Sequence, residues 1–164
     1  MSTADAGVVR KAVVPVAGAG TRLFPASKSQ PKEMLPVGRK PVVQYVVEEL
    51  LSAGVEQVLL VTGAKKSAIE DHFDKDAELS ALLRQSGELD PVDLAIADGV
   101  SGIFYTRQGA PTGVADAVGL ARDFVGAEPF AVAFGDTIIR GPDLLRRMIR
   151  THHAASAGCT VAVE

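Results

Sequence analysis

Gly18 and Gly20, in the run Ala17-Gly18-Ala19-Gly20, lack a Cβ, so the backbone there can turn sharply and bring its N–H groups against an anion. Thr21 and Arg22 follow at once, adding a hydroxyl and a planar, permanently charged guanidinium suited to phosphate oxygens. Further on, Pro31-Lys32-Glu33-Met34-Leu35-Pro36 sets a cation beside a carboxylate, between prolines expected to keep the segment out of helix. Two cations around one loop suit a triphosphate, one end of which must leave. Gln108 opens a second glycine-containing loop, Gln108 to Gly113, and Asp136 follows Gly135 directly after an apolar run. The phosphate-binding pattern G-x-x-x-x-G-K-[ST] is absent, and Leu23 occupies the third glycine position of the dinucleotide fingerprint. Leu23, together with Arg22 and Lys32, disfavours an NAD-type dehydrogenase.

These residues need strand ends to hold them. Ala12 to Val16 is a short, β-branched, apolar run that reads as a buried strand opening into the glycine loop. Residues 37–40 read as a turn and Pro41 as the first position of a helix to about Ala53, with Val42, Val43, Val46, Val47, Leu50 and Leu51 on one face and Gly54 as the stop. Val55 to Thr62 reads as a buried parallel strand. Ser67 is expected to cap a short helix, Ala68 to Phe73. A helix over 76–86 should turn Leu79, Leu82 and Leu83 inward and end at Gly87, and a further short helix is expected from Asp90-Pro91 to Ala97. Ile103 to Arg107 and Phe130 to Phe134 read as strands, with a helix from Val114 to Phe124 between them. Beyond a turn at Gly141-Pro142, a helix from Asp143 to Ala155 and a strand from Cys159 to Val163 complete the alternation. Strands alternating with helices make an α/β protein with a mainly parallel, doubly wound sheet. Ligands of such sheets sit beyond the carboxyl ends of the strands, and the loop at 17–22, Gln108 and Asp136 all fall there.

The chain has 164 residues, 47% of them hydrophobic, which is enough for a real core and a single domain. A net charge of -3 with Lys and Arg scattered speaks against binding nucleic acid or a membrane surface. Arg146, Arg147 and Arg150 read as a solvated helix face. The single cysteine, Cys159, excludes an internal disulfide, fits a reducing compartment and reads as a strand filler. The N-terminus lacks the apolar region of a signal peptide, and no apolar run approaches the ~18 residues of a membrane span, so a cytoplasmic location is expected. His72, His152 and His153 show no metal-ligand pattern and are expected at the surface.

Ala17 to Arg22, with Pro25, Lys28 and Pro31 to Pro36, resembles the signature of the sugar-1-phosphate nucleotidylyltransferase family. The run KPVVQYVVEELLSAG from Lys40, VTGAKKSAIEDHFD over 61–74, and Arg107-Gln108-Gly109 with Gly113 are similar to its bacterial uridylyltransferases, which act on glucose 1-phosphate. The resemblance implies a Rossmann-like sheet of the nucleotide-diphospho-sugar transferase type, with this chain as the N-terminal nucleotide-binding part and the sugar-binding half beyond residue 164. It implies transfer from UTP to glucose 1-phosphate, giving UDP-glucose and pyrophosphate, with Mg²⁺ as cofactor and a homo-oligomer as a compatible assembly. Residue by residue, Arg22 would stabilise the departing pyrophosphate and Lys32 would neutralise the α-phosphate. Ala17 and Gly18 would meet the uracil, Gly20 and Thr21 the triphosphate, and Gln108 the base edge. Gly113 would leave room beside the nucleoside, Glu33 would share the nucleotide pocket, and Asp136 would bind Mg²⁺. Ser27 stands where the family has Thr. Phe134-Gly135-Asp136 replaces Leu-Pro-Asp and is closer to thymidylyltransferases, which leaves dTTP open as the nucleotide. A shortened module that binds nucleotide without turnover is the other open reading.

Overall fold

The computed structural model describes residues 8–86, 91–139, 141 and 143–163. Strand β1 (Lys11–Pro15) carries the first apolar run, with Ala12, Val13 and Val14 wholly buried. Single 3-10 turns follow at Thr21–Leu23, Ala26–Lys28 and Lys32–Met34. The prolines flanking Lys32 therefore permit one tight turn rather than excluding helical geometry altogether. Strands β2 (Pro36–Val37) and β3 (Lys40–Pro41) form an antiparallel hairpin around Gly38, whose φ of 65° suits a residue without Cβ. Helix α1 (Val42–Ser52) buries Val43, Val46, Val47 and Leu50, and Gly54 at φ 99° ends it as expected.

Strand β4 (Gln57–Thr62) is buried along nearly its whole length. Helix α2 (Ser67–Phe73) begins one residue before its expected start at Ala68: Lys66 takes the position before the helix, and the expected cap Ser67 is its first residue. Helix α3 (Ala77–Ser86) buries Ser80 and leaves Leu79 and Leu82 exposed, the reverse of the expected face. The small Ser80 side chain instead donates to the Asp76 carbonyl at 2.7 Å. Helix α4 (Pro91–Ala97) agrees with the expected element, and Gly87 and Asp90 lie outside the described residues. Strand β5 (Ile103–Arg107) has the expected bounds.

The expected helix from Val114 to Phe124 is two: α5 (Val114–Gly119) and α6 (Arg122–Val125). Gly119 weakens the middle of that run. Strand β6 (Phe130–Val132) is shorter than its apolar sequence. Helix α7 (Leu144–Ala154) half-buries Leu144, Leu145, Met148 and Ile149, keeps its three arginines exposed, and docks on α1 where the Arg146 guanidinium donates to the Ser52 carbonyl. Residues 159–163 are irregular rather than strand: they join no strand ladder among the described residues, Thr160 Oγ1 lies 3.0 Å from His152 Nδ1, and Cys159 is exposed. Pro142 lies outside the described residues.

The main sheet has the order β5-β4-β1-β6, every pair parallel. Alternate residues of the strands face opposite layers. Ala12, Val14, Val58 and Leu60 pack with α1 and α2, whereas Val13, Leu59 and Val61 pack with Ala117, Ala121 and Val125 of the α5–α6 segment. The sheet is thus doubly wound, and each fully buried Val or Leu contributes about 1.5–3 kcal/mol by leaving water. The chain runs outward from β1 to β4 and β5, then crosses to β6 on the other side of β1. The reversal of strand order falls between β1 and β6, the place where open α/β sheets bind ligands.

Candidate functional site

At the carboxyl end of β1 the chain continues in register, with the Val16 N–H donating to the Val61 carbonyl at 2.9 Å. Gly63, just past β4, lies against Ala17: a Cβ there would stand 3.3 Å from the Ala17 Cβ and carbonyl oxygen. Gly20 sits at φ 70°, and its carbonyl accepts from the Ser27 hydroxyl at 2.7 Å, which closes the loop upon itself. Thr21 and Arg22 follow in an exposed 3-10 turn. Arg22 has no ion-pair partner among the described residues.

Lys32 lies along this loop. A Cβ on Gly18 would stand 3.6 Å from its Nζ, and one on Gly20 would stand 3.3 Å from its Cβ. Its ammonium reaches the Asp136 carboxylate at 2.5 Å, joining the β1 loop to the loop beyond β6 across the switch point. Asp136 can approach because Gly135 packs directly on Val16; a Cβ at 135 would collide with the Val16 side chain, which is wholly buried. Glu33 is 1% exposed, and its carboxylate accepts from Lys66 Nζ at 2.7 Å. Lys66, from the loop after β4, is a site residue the sequence did not single out, because nothing in Lys65-Lys66 distinguishes the buried cation from the exposed one.

Gln108 continues the β5 ladder, its N–H donating to the Thr62 carbonyl at 2.8 Å, and it is 5% exposed. Its side-chain Nε2 donates to Asp116 Oδ2 at 2.7 Å, Thr112 Oγ1 at 3.1 Å and the Gly113 carbonyl at 3.2 Å. Thr112 in turn donates to Asp116 at 2.6 Å. The hydrogen bond from Gln108, and then that from Thr112, hold the Asp116 carboxyl below its ordinary range. Asp116 and Thr112 also escaped sequence reasoning: an acid in the first turn of a helix looks like simple compensation of the helix dipole.

The structure therefore brings Gly18, Gly20, Lys32 and Asp136 into one cluster, with Glu33 beneath it. Gln108 and Gly113 lie on the same carboxyl rim, linked through Thr62 and Gly63 to Ala17. The expected histidine exposure is not met: His72, His152 and His153 are all partly buried, His72 against Gln44. A cavity of about 350 Å³ lined by Ala53, Arg146 and Ile149 includes none of the rim residues.

A model of the nucleotidyl transferase family matches residues 11–164. The UTP–glucose-1-phosphate uridylyltransferase of Bacillus subtilis (strain 168) is 42% identical over 157 residues, covering 95% of this chain and 54% of the relative. A second Bacillus subtilis protein, UTP–glucose-1-phosphate uridylyltransferase YngB, is 51% identical over 133 residues, covering 80% of this chain and 44% of the relative. The structure of UTP-bound UGPase from Acinetobacter baumannii superposes with a TM-score of 0.81 at 39% identity, covering 92% of this chain and 54% of that one. The chain spans about half the length of these relatives. No helix among the described residues is long and apolar enough to cross a membrane. With a matching fold, a matching sequence over nearly all of this chain and a glycine loop at the switch point, the chain belongs to the nucleotidyl transferase family.

Proposed function

We propose that this chain is the nucleotide-binding part of a uridylyltransferase that joins UTP to glucose 1-phosphate, working in the cytoplasm. The observation that carries this reading is the junction of the glycine loop, Lys32 and Asp136 across the switch in strand order. The uridylyltransferase relatives and the UTP-bound neighbour support it.

In this reading Gly20 and Thr21 hold the triphosphate through the loop's N–H groups and hydroxyl, and Ala17 and Gly18 meet the base. Gln108 addresses the base edge and Gly113 leaves room beside it. The phosphate oxygen of glucose 1-phosphate, already an anion at neutral pH, attacks the α-phosphorus. A new P–O bond forms as the bond to the bridging oxygen breaks, and its electron pair leaves with pyrophosphate. No proton needs to be removed, so catalysis is alignment together with electrostatic stabilisation. Lys32 neutralises charge gathering at the α-phosphate, and exposed Arg22 takes the pyrophosphate.

Asp136 fits Mg²⁺ in one respect only: it offers a single carboxylate. Among the described residues no group of three or more acidic, His or Cys side chains could hold a metal. That donor set suits an ion that arrives with the triphosphate and keeps several waters. When bound, Mg²⁺ would neutralise phosphate charge. The same sparse donor set favours a second reading, nucleotide binding without turnover.

Calorimetric titration with UTP and dTTP, followed by pyrophosphate release with glucose 1-phosphate, tests the proposal. UTP binding with release supports it, binding without release supports the second reading, and no binding rejects both. In a form that turns over, Arg22→Ala should lower the rate about 10²- to 10³-fold, the loss typical of one charge-stabilising contact. Its thermal midpoint should not move.

A further inference from the structure

The Gln108 amide is held in a way that decides what it can offer a ligand. Three acceptors surround Nε2: the Asp116 carboxylate at 2.7 Å, the Thr112 hydroxyl at 3.1 Å and the Gly113 carbonyl at 3.2 Å. Turning the amide over would set Oε1 against a carboxylate and a carbonyl with no hydrogen between them. The chemistry of the surroundings thus fixes the orientation. The Thr112 hydroxyl spends its hydrogen on Asp116 at 2.6 Å, so it can only accept from Gln108. The backbone is pinned as well, through the hydrogen bond to Thr62, and at 5% exposure water does little to loosen the group.

We infer that Asp116 is a positioning residue for base selection: it locks the Gln108 amide with its N–H₂ toward the loop at 112–116, so that carbonyl Oε1 is the group presented to the base. Such an acceptor pairs with a ring N–H. Uracil and thymine carry one at N3, whereas cytosine has a lone pair there and would oppose Oε1 with a second acceptor. The amide cannot rotate to suit cytosine without abandoning Asp116. A site built to pair with an N–H rejects an analogue lacking it, because the buried group is left unmatched. The inference rests on the proposed reading of the rim as a nucleotide site, and it extends that reading by naming what fixes the base.

The test is calorimetric titration of the 164-residue chain with UTP, dTTP, CTP and 3-methyl-UTP, alongside NMR of its ¹⁵N-labelled glutamine amides. UTP and dTTP should bind about tenfold or more tightly than CTP and 3-methyl-UTP. Asp116→Ala should reduce that ratio at least about threefold, and Asp116→Asn, which still presents an oxygen, should retain most of it. In the unsubstituted chain the Gln108 Nε2 protons should exchange slowly with solvent and show NOEs to Thr112 and Gly113. Rapid solvent exchange, or absence of those NOEs, would overturn the inference even if Asp116→Ala fails to fold. Equal binding of UTP and CTP, or a ratio unchanged in folded Asp116→Ala, would overturn it while the nucleotide reading stands. Absence of any nucleotide binding would remove both.

Discussion

Lys66 and Glu33 are two charges that have left water together, with side chains 7% and 1% exposed and 2.7 Å apart. Desolvation costs several kcal/mol per ion, and the contact offsets it only while both partners are present. Glu33 directly follows Lys32, so this pair also fixes the turn from which Lys32 reaches Asp136. Lys66→Met should cost about 3–5 kcal/mol of stability by stranding a buried carboxylate. The double change Lys66→Met with Glu33→Leu should recover most of that loss, with urea unfolding as the measurement. His72 carries a pH dependence of known sign. Its ring stands 3.1 Å from Gln44 Oε1, and burial lowers its pKa from 6.5. The unfolded chain therefore binds the proton more readily than the folded one. The stability this confers is fully present above pH 6.5 and is lost as pH falls toward the folded value. His72→Gln should flatten the fall in urea midpoint below pH 6.5, and an unchanged slope would contradict the assignment.

The join between α4 and β5 depends on Gly102, whose φ is 80° and whose carbonyl accepts the Val58 N–H at 2.8 Å. A Cβ there would collide with the Glu56 carbonyl oxygen, which is backbone and cannot turn aside. Gly102→Ala should cost about 2 kcal/mol or more, combining the left-handed penalty with the clash. Gly109→Ala, facing open space, should stay within about 0.5 kcal/mol. Guanidinium unfolding of the two variants compares them directly. Elements of this kind were legible where burial imposes a pattern. The apolar runs from Ala12 and Val55, and the three- and four-residue spacing from Val43 to Leu50, each announce one element because one face must leave water. The pattern misled where apolar residues are not buried. Leu79 and Leu82 look like a core stripe yet face solvent, and the apolar residues at 161–163 pair with nothing described. At the site, glycines and cations were legible as types, whereas Lys66, Thr112 and Asp116 were not. Their importance lies in partners 33, 4 and 8 residues away, which only the fold brings into contact.

Across the whole molecule the sheet is covered unevenly. β6 pairs with β1 on one side only among the described residues. Val132 lies opposite Val13 in the ladder, so Phe130, Val132 and Phe134 share the face that α5 and α6 cover over β1 and β4. That cover does not reach the edge, and the three side chains are 38%, 44% and 49% exposed. An edge strand with free N–H and C=O groups beside an apolar row is a template for another chain. The 164-residue chain should accordingly self-associate with rising concentration in sedimentation velocity. Val132→Lys places a charge in the middle of the row at a position that buries little, so its unfolding free energy should change by less than about 1 kcal/mol. The same substitution should shift the sedimenting species toward monomer at equal concentration, and an unaltered distribution would show that association runs through another surface. Asp136 lies two residues beyond Phe134, so nucleotide affinity measured across the same concentrations shows whether cover at this edge steadies the carboxylate that Lys32 holds.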